Sequence, residues 1–134
     1  LTDIGSGAGV AEWRTAPDQV RVFLKDVVVD LSVGLHPWER HPERPTRLVI
    51  NVEMFADWPL PDGGFINYDH VRTRILGWAG RPHVELLETL ADEVISACFE
   101  LPQVQACRVQ VAKPQVFNEA SGAGVELFCR RPQV

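Results

Sequence analysis

With 134 residues, 46% of them apolar and 23% charged, the chain has the size and balance of one globular domain that can bury a core without disulfide or metal staples. Its net charge is −5, from 13 Lys and Arg against 18 Asp and Glu, and its basic residues are scattered apart from a loose set at Arg40, Arg44 and Arg47; this argues against nucleic acid as a partner, because neutralising phosphates needs a basic stripe. No run approaches the roughly 18 apolar residues of a membrane span, and no basic-then-apolar export pattern is present. Cys98, Cys107 and Cys129 are odd in number, lack C-x-x-C spacing and sit within apolar patterns, so they read as reduced core thiols of a cytoplasmic protein.

Residues 1–17, rich in Gly, Ala and Ser, read as an arm ahead of a single domain at 18–131, with 132–134 as a tail. "GSGAG" within that arm lacks the preceding strand and the following Gly-Lys-Ser/Thr of a phosphate loop. From Val20 to Leu35 the sequence is dense in Val and Leu, and its alternation at Val20, Val22 and Leu24 breaks near Lys25-Asp26; the pattern predicts a long strand with a bulge there. "HPWERHPERPT" holds three prolines and predicts a loop. "RLVINVEMFADW" then sets Leu48, Ile50, Val52 and Met54 on one side and Arg47, Val49, Asn51 and Glu53 on the other, a second strand antiparallel to the first. So long a connection inside a compact domain points to function.

"NYDHVRTRILGWAG" predicts a helix capped by Asn67, with Asp69 in its first turn and Gly80 and Pro82 at its end. A second helix is expected from His83 to about Phe99, with Leu86, Leu87, Leu90, Ala91, Val94, Ile95, Ala97 and Cys98 on its apolar arc. "VQACRVQVAK" and "GVELFCR" predict two closing strands. The order strand, strand, helix, helix, strand, strand defines an α+β class: an antiparallel four-stranded sheet with two helices on one face. Its free edges leave backbone groups unpaired, which favours a homo-oligomer.

Four polar residues have positions open to two readings. Glu85, Asp92 and Glu93 fall on the polar side of the second helix, whereas Glu88 lies about 20° from Ile95 and from Phe99, on the margin of the buried face. Such a carboxylate either snorkels to water or accepts two parallel N–H bonds from an amidine-like heterocycle. Glu39 is a solvated loop acid or a binding residue carried on rigid strands. Tyr68 packs its ring at a helix start, or offers a stacking face and a hydroxyl. Lys113 ends a strand, held extended by Pro114; it is exposed and inert, or desolvated enough to act as a base.

In order, "GLHPWE", "INYDHV", "LLETLAD" and "VQVAKPQVF…GAGVEL" resemble the dihydroneopterin aldolase family across roughly residues 18 to 130. The resemblance implies the tunnelling fold, with subunits assembling into tetramer rings that often pair into octamers, and a folate-pathway lyase that cleaves 7,8-dihydroneopterin without metal or cofactor. It further implies that Glu88 anchors the pterin with the backbone around Leu87 and Ile66, that Tyr68 covers the ring from a neighbouring subunit and relays a proton, and that Glu39 stands near the reacting side chain with Lys113 as catalytic lysine. Thr46 occupies a substrate-binding position where the family often has Gln, a departure that bears on side-chain preference.

Two rivals share the fold. A dihydroneopterin or dihydroneopterin-triphosphate epimerase would use the same Glu, Tyr and Lys, and Arg40, Arg44 and Arg47 would meet a triphosphate. A non-catalytic pterin-binding ring would need Glu88 but not Lys113. The zinc-dependent relatives use histidines on strands, whereas His36, His41, His70 and His83 form no His-x-His and two of them lie in the loop, so no metal site is expected.

Overall fold

A computed structural model describes residues 15–40 and 45–133, so most of the predicted arm, together with His41 and Arg44, lies outside the described residues. Strand β1 spans Gln19–Leu31, a short 3-10 turn follows at Pro37–Arg40, and β2 spans Thr46–Asp57. Helices α1 (Tyr68–Leu76) and α2 (Leu87–Phe99) precede β3 (Ala106–Lys113) and β4 (Ala123–Arg130). The strands form one antiparallel sheet in the order β1-β2-β3-β4, the α+β arrangement that the pattern predicts.

The bulge falls where the alternation breaks. Leu24 faces Val52 and Val27 faces Ile50, which leaves Lys25 and Asp26 to share Asn51. Asp26 adopts a left-handed φ of 55° and its N–H donates to Asn51 Oδ1 at 2.9 Å, so the extra residue keeps a partner. One added residue reverses parity. Val20, Val22 and Leu24 before the bulge, and Val27, Val29 and Leu31 after it, therefore all pack on the same core.

That core lies between the sheet and the helices. Leu48, Ile50, Val52 and Met54 of β2 and Cys107, Val109 and Val111 of β3 meet Leu90, Ala91, Val94 and Cys98 of α2 and Val71 and Ile75 of α1, all fully buried. Burying one such Leu, Ile, Val or Met side chain contributes about 1.5–3 kcal/mol, so this face supplies most of the drive to fold. Asn67 caps α1 as expected, its side chain accepting from the Asp69 N–H at 3.1 Å. Cys98 and Cys107 are core thiols, and the bond to Cys107, aided by burial, pushes the Cys98 thiol up; Cys129 is only half-buried.

Three boundaries depart from the sequence pattern. β1 stops at Leu31 rather than Leu35, and α1 ends at Leu76, capped by Gly77. The second helix starts at Leu87, four residues after His83. The cause of the first and third is shared. Val33 and Val84 form an isolated parallel bridge in which Gly34 N–H donates to the Val84 carbonyl and Val84 N–H donates to the Ser32 carbonyl, both at 3.0 Å. Val84 is thereby held extended and cannot join the helix, however well His83 to Leu86 fit its period.

The helix-free face carries a second buried layer. Across the four strands Phe23, Glu53, Arg108 and Phe128 stand opposite one another. Glu53 is fully buried, with Arg108 Nε at 2.9 Å from one oxygen and Arg21 Nη1 at 3.2 Å from the other. The guanidinium of Arg21 lies over Phe23 and that of Arg108 over Phe128. Burial raises the Glu53 carboxyl above the usual carboxylate range, and the two arginines offset this only in part.

Candidate active site

Residues 32–40, the first part of the proline-rich connection after β1, bring Glu39 to the end of β3. Gly34 has a φ of 132°, a conformation that favours glycine, and an added Cβ there would lie 2.1 Å from Glu39 Oε1. This is the physical content of the five-residue Gly-to-Glu spacing: the Glu39 carboxylate rests against the bare Cα of Gly34. The short turn Pro37–Arg40 swings Glu39 inward, its N–H donating to the His36 carbonyl at 3.0 Å. Glu39 is 5% exposed, although it belongs to a loop.

Lys113, the last residue of β3, places its ammonium 2.5 Å from Glu39 Oε2, and its side chain is only 12% exposed. Gly124 of β4 explains why "GAGVEL" follows: a Cβ there would meet the Val111 carbonyl oxygen at 2.2 Å, so only glycine lets β4 lie this close to the end of β3. Trp38, Glu39, Thr46, Arg47, Lys113 and Val116 line a cleft of about 300 Å³. Thr46 is thus at the cleft, with its hydroxyl 3.5 Å from the Val33 carbonyl that it faces. Lys113 is thus largely withdrawn from solvent rather than exposed, and its ammonium meets a carboxylate.

Glu88 sits in the first turn of α2 and is exposed, Leu87 beside it is half-buried, and Ile66 is buried just ahead of α1. Tyr68, the first residue of α1, is 52% exposed. Neither the Glu88 carboxylate nor the Tyr68 hydroxyl bonds to another described residue. The start of α2 is nonetheless tied to the Glu39 loop, by the Val33–Val84 bridge and by Arg40 Nη2 donating to Glu85 at 2.9 Å. One chain therefore gathers Glu39, Lys113 and Thr46 around one cleft and ties Val84 and Glu85, just ahead of α2, to the same loop. No hydrogen bond connects Tyr68 to either group.

His83 and Ser32, which the sequence did not single out, hold this loop together: His83 Nδ1 is 2.5 Å from Ser32 Oγ and its Nε2 is 2.8 Å from the Gly34 carbonyl. A histidine just before a helix carries no spacing signal of its own, so only the fold reveals it. Of the loose basic set, Arg40 is engaged by Glu85, and Arg47 by Asp30 at 3.0 Å, a bond that holds the Asp30 carboxyl below the usual range. Among the described residues no group of three His, Cys, Asp or Glu side chains is placed to hold a metal ion, and no helix is long and apolar enough to cross a membrane.

The family model described as dihydroneopterin aldolase (FolB) matches residues 22–128. A dihydroneopterin aldolase of Haemophilus influenzae is 26% identical over 110 residues, which cover 78% of this chain and 92% of that protein. The crystal structure of dihydroneopterin aldolase from Burkholderia thailendensis bound to guanine superposes with a TM-score of 0.69 at 26% identity, covering 86% of this chain and 93% of the other. The E. coli dihydroneopterin aldolase in complex with neopterin shares the fold at a TM-score of 0.69 and 20% identity, over 82% of this chain and 98% of that one. The matched span runs from β1 into β4 and encloses Gly34, Glu39, Tyr68, Glu88 and Lys113, and on it the chain belongs to the dihydroneopterin aldolase family.

Proposed function

We propose that this protein is a dihydroneopterin aldolase in action as well as in family: a cytoplasmic lyase that cleaves the trihydroxypropyl side chain of 7,8-dihydroneopterin between C1′ and C2′, releasing glycolaldehyde and 6-hydroxymethyl-7,8-dihydropterin. The observation that carries it is the buried Glu39–Lys113 pair at the mouth of the cleft. Glu39 fixes the Lys113 side chain at the cleft, and Lys113 as the amine accepts the proton of the 2′-hydroxyl through a water. The C6=N5 imine of the dihydropterin takes up the electrons released, so Lys113 need not form a Schiff base. The resulting enamine is protonated by way of Tyr68 and water.

Glu88 anchors the pterin by accepting two of its N–H groups, as charge-assisted bidentate pairs do, and the backbone near Leu87 and Ile66 frames the ring. Tyr68 reaches the site from the neighbouring subunit. Support for a shared site comes from what one chain leaves uncovered. Each segment bearing a site residue also exposes an apolar side chain: Leu35 and Trp38 near Glu39, Phe65 before Ile66, Leu86 before Glu88, and Phe117 after Lys113. Edge strands β1 and β4 are likewise open to pairing, so a ring of four copies, alone or paired into an octamer, completes both edges and sites. The triphosphate-epimerase reading is less well supported, because Arg40 and Arg47 already face carboxylates.

The test is a product assay with 7,8-dihydroneopterin, separating the pterins by chromatography and trapping glycolaldehyde, for the parent and Lys113→Ala. Both products from the parent alone establish the aldolase. Dihydromonapterin as sole product would make the protein an epimerase, and pterin binding without turnover would leave a binding ring.

A further inference from the structure

We infer that His83 is a positioning residue for the Glu39–Lys113 pair, acting through Ser32 and Gly34. The inference rests on the aldolase reading for its kinetic consequence, but its geometry stands apart from it.

Both ring nitrogens of His83 are engaged. A carbonyl oxygen only accepts, so Nε2, at 2.8 Å from the Gly34 carbonyl, carries a hydrogen, and Nδ1 pairs with the Ser32 hydroxyl at 2.5 Å. Ser32 Oγ also lies 3.4 Å from the Glu39 carbonyl oxygen. The imidazole thus spans the start of the loop, from the residue after β1 to the glycine on which the Glu39 carboxylate rests, where a Cβ would lie 2.1 Å from Oε1. Because that contact leaves no slack, a shift of Gly34 is a shift of Glu39, and through it of the Lys113 amine.

The same histidine sits at the root of α2. Val84 next to it is bridged to Val33, and Glu85 is bonded to Arg40 in the Glu39 turn. His83 therefore links the segment that leads into Glu88, at the ring-binding end, to the pair at the reacting end. A group that sets the distance between a bound ring and its base governs how often the reactants meet in a productive geometry, and misplacement by about 1 Å can cost roughly 100-fold in rate.

The experiment compares the parent with His83→Ala and His83→Gln in two readouts. The first is kcat and KM for 7,8-dihydroneopterin. The second is acylation of Lys113 by an amine-selective reagent, mapped by peptide mass spectrometry against Lys25, the exposed lysine of the β1 bulge and the chain's only other one. His83→Ala is expected to lower kcat by roughly 10- to 100-fold with KM changed by less than about threefold. Lys113 is expected to label faster relative to Lys25. His83→Gln, whose amide N–H can still reach the Gly34 carbonyl, is expected to recover part of both. Unchanged Lys113 labelling in His83→Ala overturns the inference, as does unchanged kcat in a protein that turns over; a parallel rise in KM with no recovery by Gln would mark a merely structural role and overturn it too. If the parent fails to cleave the substrate, the aldolase reading falls while the labelling still decides whether His83 positions the pair.

Discussion

Two carboxylates are buried among the described residues, and they differ in the cation that each meets. Glu53 lies mid-sheet between Arg21 and Arg108, whose guanidinium groups keep their protons at any working pH. Glu39 lies in a loop, against the amine of Lys113 and beside an open cleft. Glu53 is withdrawn from solvent completely and Glu39 nearly so, and burial alone does not mark a reactive site. What separates them is a partner that can give up a proton and a space in which a substrate can receive its effect.

That contrast can be tested by making one pair like the other. Lys113→Arg keeps the charge opposite Glu39 but removes the group that can act as a base, and turnover is expected to fall by about 100-fold or more while the melting temperature changes little. Retained turnover would show that the cation serves only as a charge. Gly34→Ala is the next largest change. It forces a non-glycine residue to a φ of 132° and drives a methyl group into the Glu39 carboxylate, so it should cost about 1–3 kcal/mol in denaturant stability and also depress kcat. Full stability and full activity together would mean that Glu39 does not need this seat.

Glu53→Gln should leave kcat untouched and alter only how stability depends on pH. The folded-state pKa of Glu53 is raised by burial, so its contribution is fully present below the ordinary carboxylate pKa and is lost as pH rises through the raised folded value. Relative to Glu53→Gln, the parent should therefore lose ground as pH climbs above the ordinary carboxylate range, read as the difference in melting temperature. An opposite slope would mean that the arginines outweigh burial and hold Glu53 in its charged form.

The legible parts of the molecule are those in which neighbours in sequence are neighbours in space. Alternation at Leu48, Ile50, Val52 and Met54 exposes β2 and its core face, a lost beat at Lys25-Asp26 exposes the bulge, and Asn67 before an apolar period exposes the start of α1. Where contacts come from afar, the local pattern misleads. His83 to Leu86 fit a helix, but the bridge from Val84 to Val33, about fifty residues back, holds them extended. Glu53 occupies what reads as the outward face of a strand, and only Arg21, Phe23, Arg108 and Phe128 on three other strands bury it.

The sequence by itself determined the class of fold, the order of its elements and the residue types at the candidate site, because periodicity, caps and ordered motifs are local properties of a chain. Only the tertiary structure decided that Glu39 is buried against Lys113, that Gly34 is glycine so that this carboxylate has room, and that His83 binds the loop from across the domain. Those are contacts between residues 49 to 74 positions apart or between a side chain and a backbone turn. Their distances are set by how helices and sheet pack around a common core, which no stretch of sequence specifies alone.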